Sequence, residues 1–179
     1  PERIDVRDAA LIEPAAVAFH AVRRSNIRIG DVVCIVGAGA IGLLTAQCAR
    51  AAGAGLVIAV DPDESRRELG LTLGLDRAVA PGEELNQMLS EVNGGLKADL
   101  AFDCAGIPQT MQQSVDMVRR GGGVCLVGVT SQNATISPIR WISKEITLYT
   151  SMVFTLEEMK ATAGMILDRR ILVAPLRNE

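Results

Sequence analysis

The stretch 32-VVCIVGAGAIGLLTAQCARAAGAGLVIAVD-61 decides how this chain is read. Val32–Val36 are five consecutive apolar residues, long enough for a strand and without polar alternation. Such a strand is covered on both faces, as in a parallel sheet. Gly37, Gly39 and Gly42 follow with G-x-G-x-x-G spacing, and residues 41–52 read as an Ala-rich helix that stops near Gly53 and Gly55. Residues 57–60 are a second apolar run, ending at Asp61. Strand, glycine turn, helix, strand and terminal acid is the context a dinucleotide fingerprint requires.

Each position has a physical role in that reading. Gly37 permits the tight turn, Gly39 puts no side chain in front of a diphosphate, and Gly42 lets the helix approach the sheet. The free N–H groups at the helix start, around Ala40 and Ile41, face the anion. Asp61 lies about twenty residues past the last glycine, where a carboxylate accepts the ribose hydroxyls of the adenosine half. Its charge repels a 2′-phosphate, which favours NAD over NADP. Capping the next helix, beside Pro62 and Asp63, is the simpler role open to Asp61. Arg66, a turn into that helix, is within reach of the same ribose or phosphate, and a solvated arginine fits its position equally well.

Outward from this block the alternation continues. Residues 13–25 read as a helix with Pro14 in its first turn and Val17, Phe19 and Val22 as apolar positions, followed by a turn at 28–31. A helix from Asp63 to Leu73 stops at Gly74, expected to be left-handed. A strand at 78–80, a helix at 83–91 and a strand at 99–103 follow. Pro108 opens a helix on which Met111, Val115 and Val118 are expected to share a face. Residues 121–129 read as a turn and then a buried strand, 131–142 as an irregular excursion, and 145–150 as a last strand. Thr155 and Glu158 form a capping box, with Leu156, Met159, Ala163 and Ile166 expected along the apolar face of that helix. Residues 171–175 are a short apolar ending.

Strand–helix alternation with short loops and right-handed crossovers gives an α/β fold. The expected architecture is a Rossmann-like, doubly wound parallel sheet with helices on both faces, forming a single domain. Ligand contacts then come from the carboxyl ends of later strands: Cys104, Ala105 and Gly106 after one, and Val127, Gly128 and Val129 after another, mainly through backbone. Cys104 reads as buried packing and Asp103 as a structural strand end.

The 179 residues, 49% apolar and 22% charged, suffice for one core, built from aliphatics because aromatics are 3%. Net charge is −3, and pairs such as Arg23-Arg24 are solvated faces rather than a nucleic-acid track, so no nucleic-acid partner is expected. No run is long enough to span a bilayer, and no signal-peptide pattern opens the chain, so a cytoplasmic location is expected. Cys34, Cys48, Cys104 and Cys125 include no CxxC pair, which argues for reduced, buried thiols and against a structural zinc cluster. The one tyrosine, Tyr149, is followed four positions later by Val153, not lysine. A single-domain enzyme using a Tyr-x-x-x-Lys proton relay is thereby excluded.

With the glycine block, the segments 12-IEPAAVAFHAVRRS-25, 57-VIAVD-61, 103-DCAG-106, 122-GGVCLVGV-129 and 144-KEITLYTS-151 resemble the cofactor domain of the medium-chain dehydrogenase/reductase family, the zinc-containing alcohol, sorbitol and threonine dehydrogenases. The resemblance implies a parent that transfers a hydride between an alcohol or polyol and NAD. It implies zinc in that parent, with Glu13 of the EP motif near the metal, although Glu13 is equally a helix-capping carboxylate; His20 reads as a packing histidine. The other zinc ligands and the proton relay would belong to a catalytic domain preceding this segment. Residues 1–27 are then a helical lead-in from that domain, and 28–179 a dinucleotide-binding domain cut short at its C-terminus. No catalytic residue is expected in the chain, and no appreciable turnover from it alone. A homodimer is expected through the sheet edge near Ala134–Arg140. A non-catalytic NAD-binding module and a zinc-free NAD(P)H reductase of the wider family share the same fingerprint.

Overall fold

The computed structural model describes residues 4–177. The outer ends of the two expected units, at residues 1 and 179, lie outside the described residues. Helix α1 (Val6–Ala9) is a single turn capped by Asp5, and α2 (Ile12–Arg24) matches the expected first helix within a residue. Strand β1 (Val32–Val36), helix α3 (Ala40–Ala51), strand β2 (Leu56–Val60) and helix α4 (Glu64–Thr72) follow. Gly74, at φ +84, turns the chain after α4 as expected. Then come β3 (Arg77–Val79), α5 (Glu83–Glu91), β4 (Ala98–Asp103), α6 (Pro108–Met117) and β5 (Val118–Leu126). The chain closes with α7 (Pro138–Lys144), β6 (Thr147–Thr150), α8 (Leu156–Leu167) and a 3-10 turn at Ala174–Leu176.

The six strands form one sheet in the order β3-β2-β1-β4-β5-β6, every neighbouring pair parallel. All five residues of β1 are buried. Val33 and Ile35 face one core with Leu43, Leu44, Phe102 and the alanines of α2. Cys34 and Val36 face the other, with Leu85, Leu89 and Val115. Helices cover both faces, so an uninterrupted apolar run is what this strand needs. Fully buried Phe102, Ile35 and Leu43 each contribute about 1.5–3 kcal/mol by leaving water.

Order reverses at β1: the chain runs outward through β2 and β3, then returns to place β4 on the opposite side of β1. The carboxyl ends of β1 and β4 therefore flank the switch point, where open α/β sheets bind ligands.

Four local expectations are corrected. Val118 leaves the helix and begins β5; the buried positions of α6 are Thr110, Ser114, Val115 and Met117. The glycine run at 121–123 lies inside a longer, irregular strand whose register slips against β4 between Ala98 and Leu100. Residues 138–144, of which 138–142 were expected to be irregular, are helical because tertiary bonds hold them. The Gln112 side-chain oxygen accepts from the Ser137 backbone N–H at 2.9 Å and the Trp141 indole N–H at 3.1 Å, and Lys144 Nζ donates to the Val115 and Val118 carbonyls at 2.7 Å each. The buried stripe of α8 is Glu158, Thr162 and Met165, whereas Leu156 is exposed. Leu156 precedes the first full turn and has no partner to cover it, while Glu158 faces α2.

Candidate functional site

The site is built from three loops at the carboxyl ends of β1, β4 and β5. Gly37 bends the chain out of β1 at φ +92, a conformation a side chain disfavours. A Cβ there would lie 2.9 Å from the Ala105 nitrogen, so the turn after β1 abuts the turn after β4. A Cβ on Gly42 would collide with the Gly37 carbonyl, and this bare contact seats α3 against its own turn. Gly39 is the N-cap of α3 at ordinary φ, and a Cβ on it would meet nothing within 4 Å. That space is where a ligand can approach the helix start, at exposed Ala40 and half-buried Ile41, which no side chain caps. The turn after β4 in turn abuts the turn after β5: a Cβ on Gly106 would lie 2.9 Å from the Val129 nitrogen. Val127 is buried, Gly128 half-buried and Val129 exposed. Gly37, Gly39, Ala40, Ile41, Gly42, Cys104, Ala105, Gly106, Val127, Gly128 and Val129 are thus brought into one continuous rim.

Asp61 joins the rim from β2. Its Oδ2 accepts the Ala38 N–H at 2.7 Å, inside the glycine turn, and its Oδ1 accepts the Asp63 N–H at 2.9 Å. The capping role is taken by Asp63, whose side chain accepts from the Arg66 backbone N–H. Arg66 Nη1 stands 3.7 Å from Asp61 Oδ2 with its own side chain more than half exposed. Arg67, given no site role by the sequence, donates from Nη1 to the Asp61 and Pro62 carbonyls at 2.9 Å each and fixes the lip of the loop. Adjacent arginines carried no signal to tell which one turns inward.

Asp103 is structural as expected. Burial raises its carboxyl, offset by the Thr110 hydroxyl and by the Gly106 and Ala105 N–H groups. Thr110 Oγ1 lies 3.0 and 2.9 Å from the two carboxylate oxygens. Thr110 was not foreseen either, because its only signal is a hydroxyl in the first turn after Pro108. Burial pushes the Cys104 thiol up to about 12, and its Sγ lies 3.7 Å from Thr45 Oγ1, which fits packing and leaves no thiolate at neutral pH.

Glu13 lies on α2, which is not one of the elements that form the rim. It is exposed in the first turn of that helix, where its charge sits at the positive end of the helix dipole, the helix-terminal role read for it from the sequence. Among the described residues no three His, Cys, Asp or Glu side chains come together as a metal site. One carboxylate does not hold a zinc ion, which takes four ligands. His20 is a packed side chain, with Nδ1 2.9 Å from Glu158 Oε2. Among the described residues no helix is long and apolar enough to cross a membrane.

The family model for zinc-binding dehydrogenases matches residues 40–168. The chain is 35% identical to L-galactonate-5-dehydrogenase of Escherichia coli, over 97% of this chain and 54% of that protein. It is 39% identical to sorbitol dehydrogenase of Arabidopsis thaliana, over 72% of this chain and 37% of that protein. A zinc-binding dehydrogenase structure from Sinorhizobium meliloti, bound to NADP, superposes with a TM-score of 0.82 at 30% identity, over 90% of this chain and 48% of that one. The chain thus spans about half or less of the length of these relatives. A glycine turn, a strand-end acid and a doubly wound sheet in one chain, joined to these matches, make it a member of the zinc-binding dehydrogenase family.

Proposed function

We propose that this chain binds a nicotinamide dinucleotide, NAD in preference to NADP, for a dehydrogenase that oxidises a secondary alcohol of a polyol or sugar acid. One observation carries the reading: the Asp61 carboxylate is bonded to Ala38 in the glycine turn. The Asp61 carboxylate, itself 2% exposed, thereby lies against the glycine turn, next to the amides read as facing the diphosphate. The free space over Gly39 fits a diphosphate, and each Asp61 oxygen, after one backbone bond, retains acceptor capacity for a ribose hydroxyl.

Gly37, Gly39, Ala40, Ile41 and Gly42 would hold the diphosphate; Asp61, with Arg66, the adenosine ribose. Backbone at Cys104–Gly106 and Val127–Val129 would orient the nicotinamide half. The bound dinucleotide supplies a carbon that accepts the substrate hydride; this chain supplies position and exclusion of water. The residues here do not hold zinc, so no step passes through Glu13. If the whole protein carries the metal, Glu13 is the ligand that the family resemblance would assign to this chain. The names of the Arabidopsis and E. coli relatives support a polyol or sugar-acid substrate.

The NADP in the S. meliloti relative, together with Arg66 beside Asp61, favours a second reading in which NADP also binds. Calorimetric titration of wild type and D61N with both dinucleotides separates the two. NAD is expected to bind wild type more tightly. D61N should lose about tenfold for NAD while NADP holds or gains, the size of one charge-assisted hydrogen bond. A wild type that binds neither dinucleotide, or a D61N that matches it for NAD, overturns the reading.

The exposed edge of β6, with Leu148 and the nearby Ile139 and Ile142 of α7, supports pairing of two copies at that edge. Residues 134–140, expected at the edge, are not strand: they lead into α7, whose first turn holds Pro138.

A further inference from the structure

We propose that Glu158 is a positioning residue: its carboxylate clasps α2 to α8 and thereby sets the helix that backs the dinucleotide turn. The inference rests on the dinucleotide reading above for its consequence, though not for the clasp itself. Glu158 is 4% exposed and acidic, a placement a protein tolerates only when the charge is fully bonded. Three donors meet it. The Thr155 N–H reaches Oε2 at 2.8 Å, closing the capping box of α8. His20 Nδ1 reaches the same Oε2 at 2.9 Å, and Arg23 Nη1 reaches Oε1 at 3.3 Å, both from α2.

A solvent-open groove of about 560 Å³, lined by Phe19, Val22, Arg23, Cys48, Gly164 and Met165, runs where α2, α3 and α8 converge. At its rim the Glu158 bonds join α8 to α2 through polar groups in addition to apolar packing. On its other side α2 presses Ala15, Ala18 and Ala21 into the core that holds Leu43 and Leu44 of α3. A shift of α2 is therefore passed to α3, whose first turn faces the proposed diphosphate. His20 must donate through Nδ1, which the neutral Nδ1–H tautomer and the cation both do, so the bond persists across neutral pH.

The capping role and the clasp separate by mutation at Thr155 and at His20, while glutamine at position 158 probes the Arg23 arm. E158Q keeps the cap of α8 and, because His20 shares Oε2 with the Thr155 N–H, the His20 bond as well, so its amide faces Arg23 alone. T155A removes the cap hydroxyl and leaves both bonds to α2. H20F removes one bond of the clasp. H20N restores it, since the asparagine amide stands where Nδ1–H stood. The readouts are amide hydrogen exchange over residues 12–24 and the dissociation constant for NAD, measured on the full chain at pH 7.

H20F is expected to speed exchange in α2 about tenfold and to weaken NAD about three- to tenfold, and E158Q, which loses only the Arg23 bond, should change both in the same direction by less. H20N should return both near wild type, and T155A should lower the melting temperature while leaving α2 exchange as in wild type. Unchanged α2 exchange in E158Q and H20F, an effect of T155A equal to theirs, or failure of H20N to rescue overturns the clasp. If wild type binds no NAD, the dinucleotide reading fails, and the exchange data still decide whether the clasp exists.

Discussion

At the scale of single residues, the glycines of the turn do separate jobs, and substitution distinguishes them. A Cβ on Gly39 meets nothing in the protein, and the residue has ordinary φ. A Cβ on Gly42 meets the Gly37 carbonyl. G39A should therefore leave the melting temperature unchanged and weaken NAD, because the methyl group occupies only ligand space. G42A should destabilise the fold by about 1–3 kcal/mol through overpacking, whatever it does to binding. Urea denaturation and NAD titration on the two variants check this; a G39A that binds as wild type would remove the diphosphate from that space. The glycine spacing and Asp61 were legible in the sequence because both follow from local chain geometry. That Asp61 bonds Ala38 was not, since the partner lies across a strand boundary.

At the scale of elements, strand and helix positions were legible wherever an apolar run or a cap marked them, as in β1, α4 and α8. Helix α7 was not, because it buries no residue of its own. It exists because the side chains of Gln112 on α6 and Lys144 tie it to the layer beneath, and such ties leave no periodic trace. The pairing of α2 and α8 gives a pH prediction. Burial alone would raise the Glu158 carboxyl, but the bonds from Thr155 and His20 outweigh it and hold it below its ordinary 4.5. A depressed carboxyl adds stability that is present above its unfolded value and is lost as pH falls toward its folded value. Wild type should thus lose stability below pH 4.5 through this residue, and the melting temperature of E158Q should fall less steeply over the same acid range. Parallel melting curves for the two proteins would show that Glu158 contributes nothing to acid sensitivity.

At the scale of the whole molecule, the sheet ends in a strand with one open side. Leu148 on β6 is 43% exposed, and Ile139 and Ile142 on α7 are 70% and 71% exposed. Apolar groups beside an unpaired strand edge invite a second copy. Sedimentation should find wild type dimeric and L148K monomeric, with unchanged circular dichroism. A monomeric wild type would leave that edge without its proposed partner.

By itself the sequence determined the layers, the parallel sheet and the place of the glycine turn. Those depend on hydrophobic period, turn chemistry and glycine spacing, all of which act within a few residues. Only the tertiary structure decided that Asp61 faces the turn, that Arg67 and not Arg66 braces its loop, and that Glu158 faces His20 across 138 positions of chain. Those partners are selected by the way helices and strands pack, and a contact between distant segments has no local pattern to announce it.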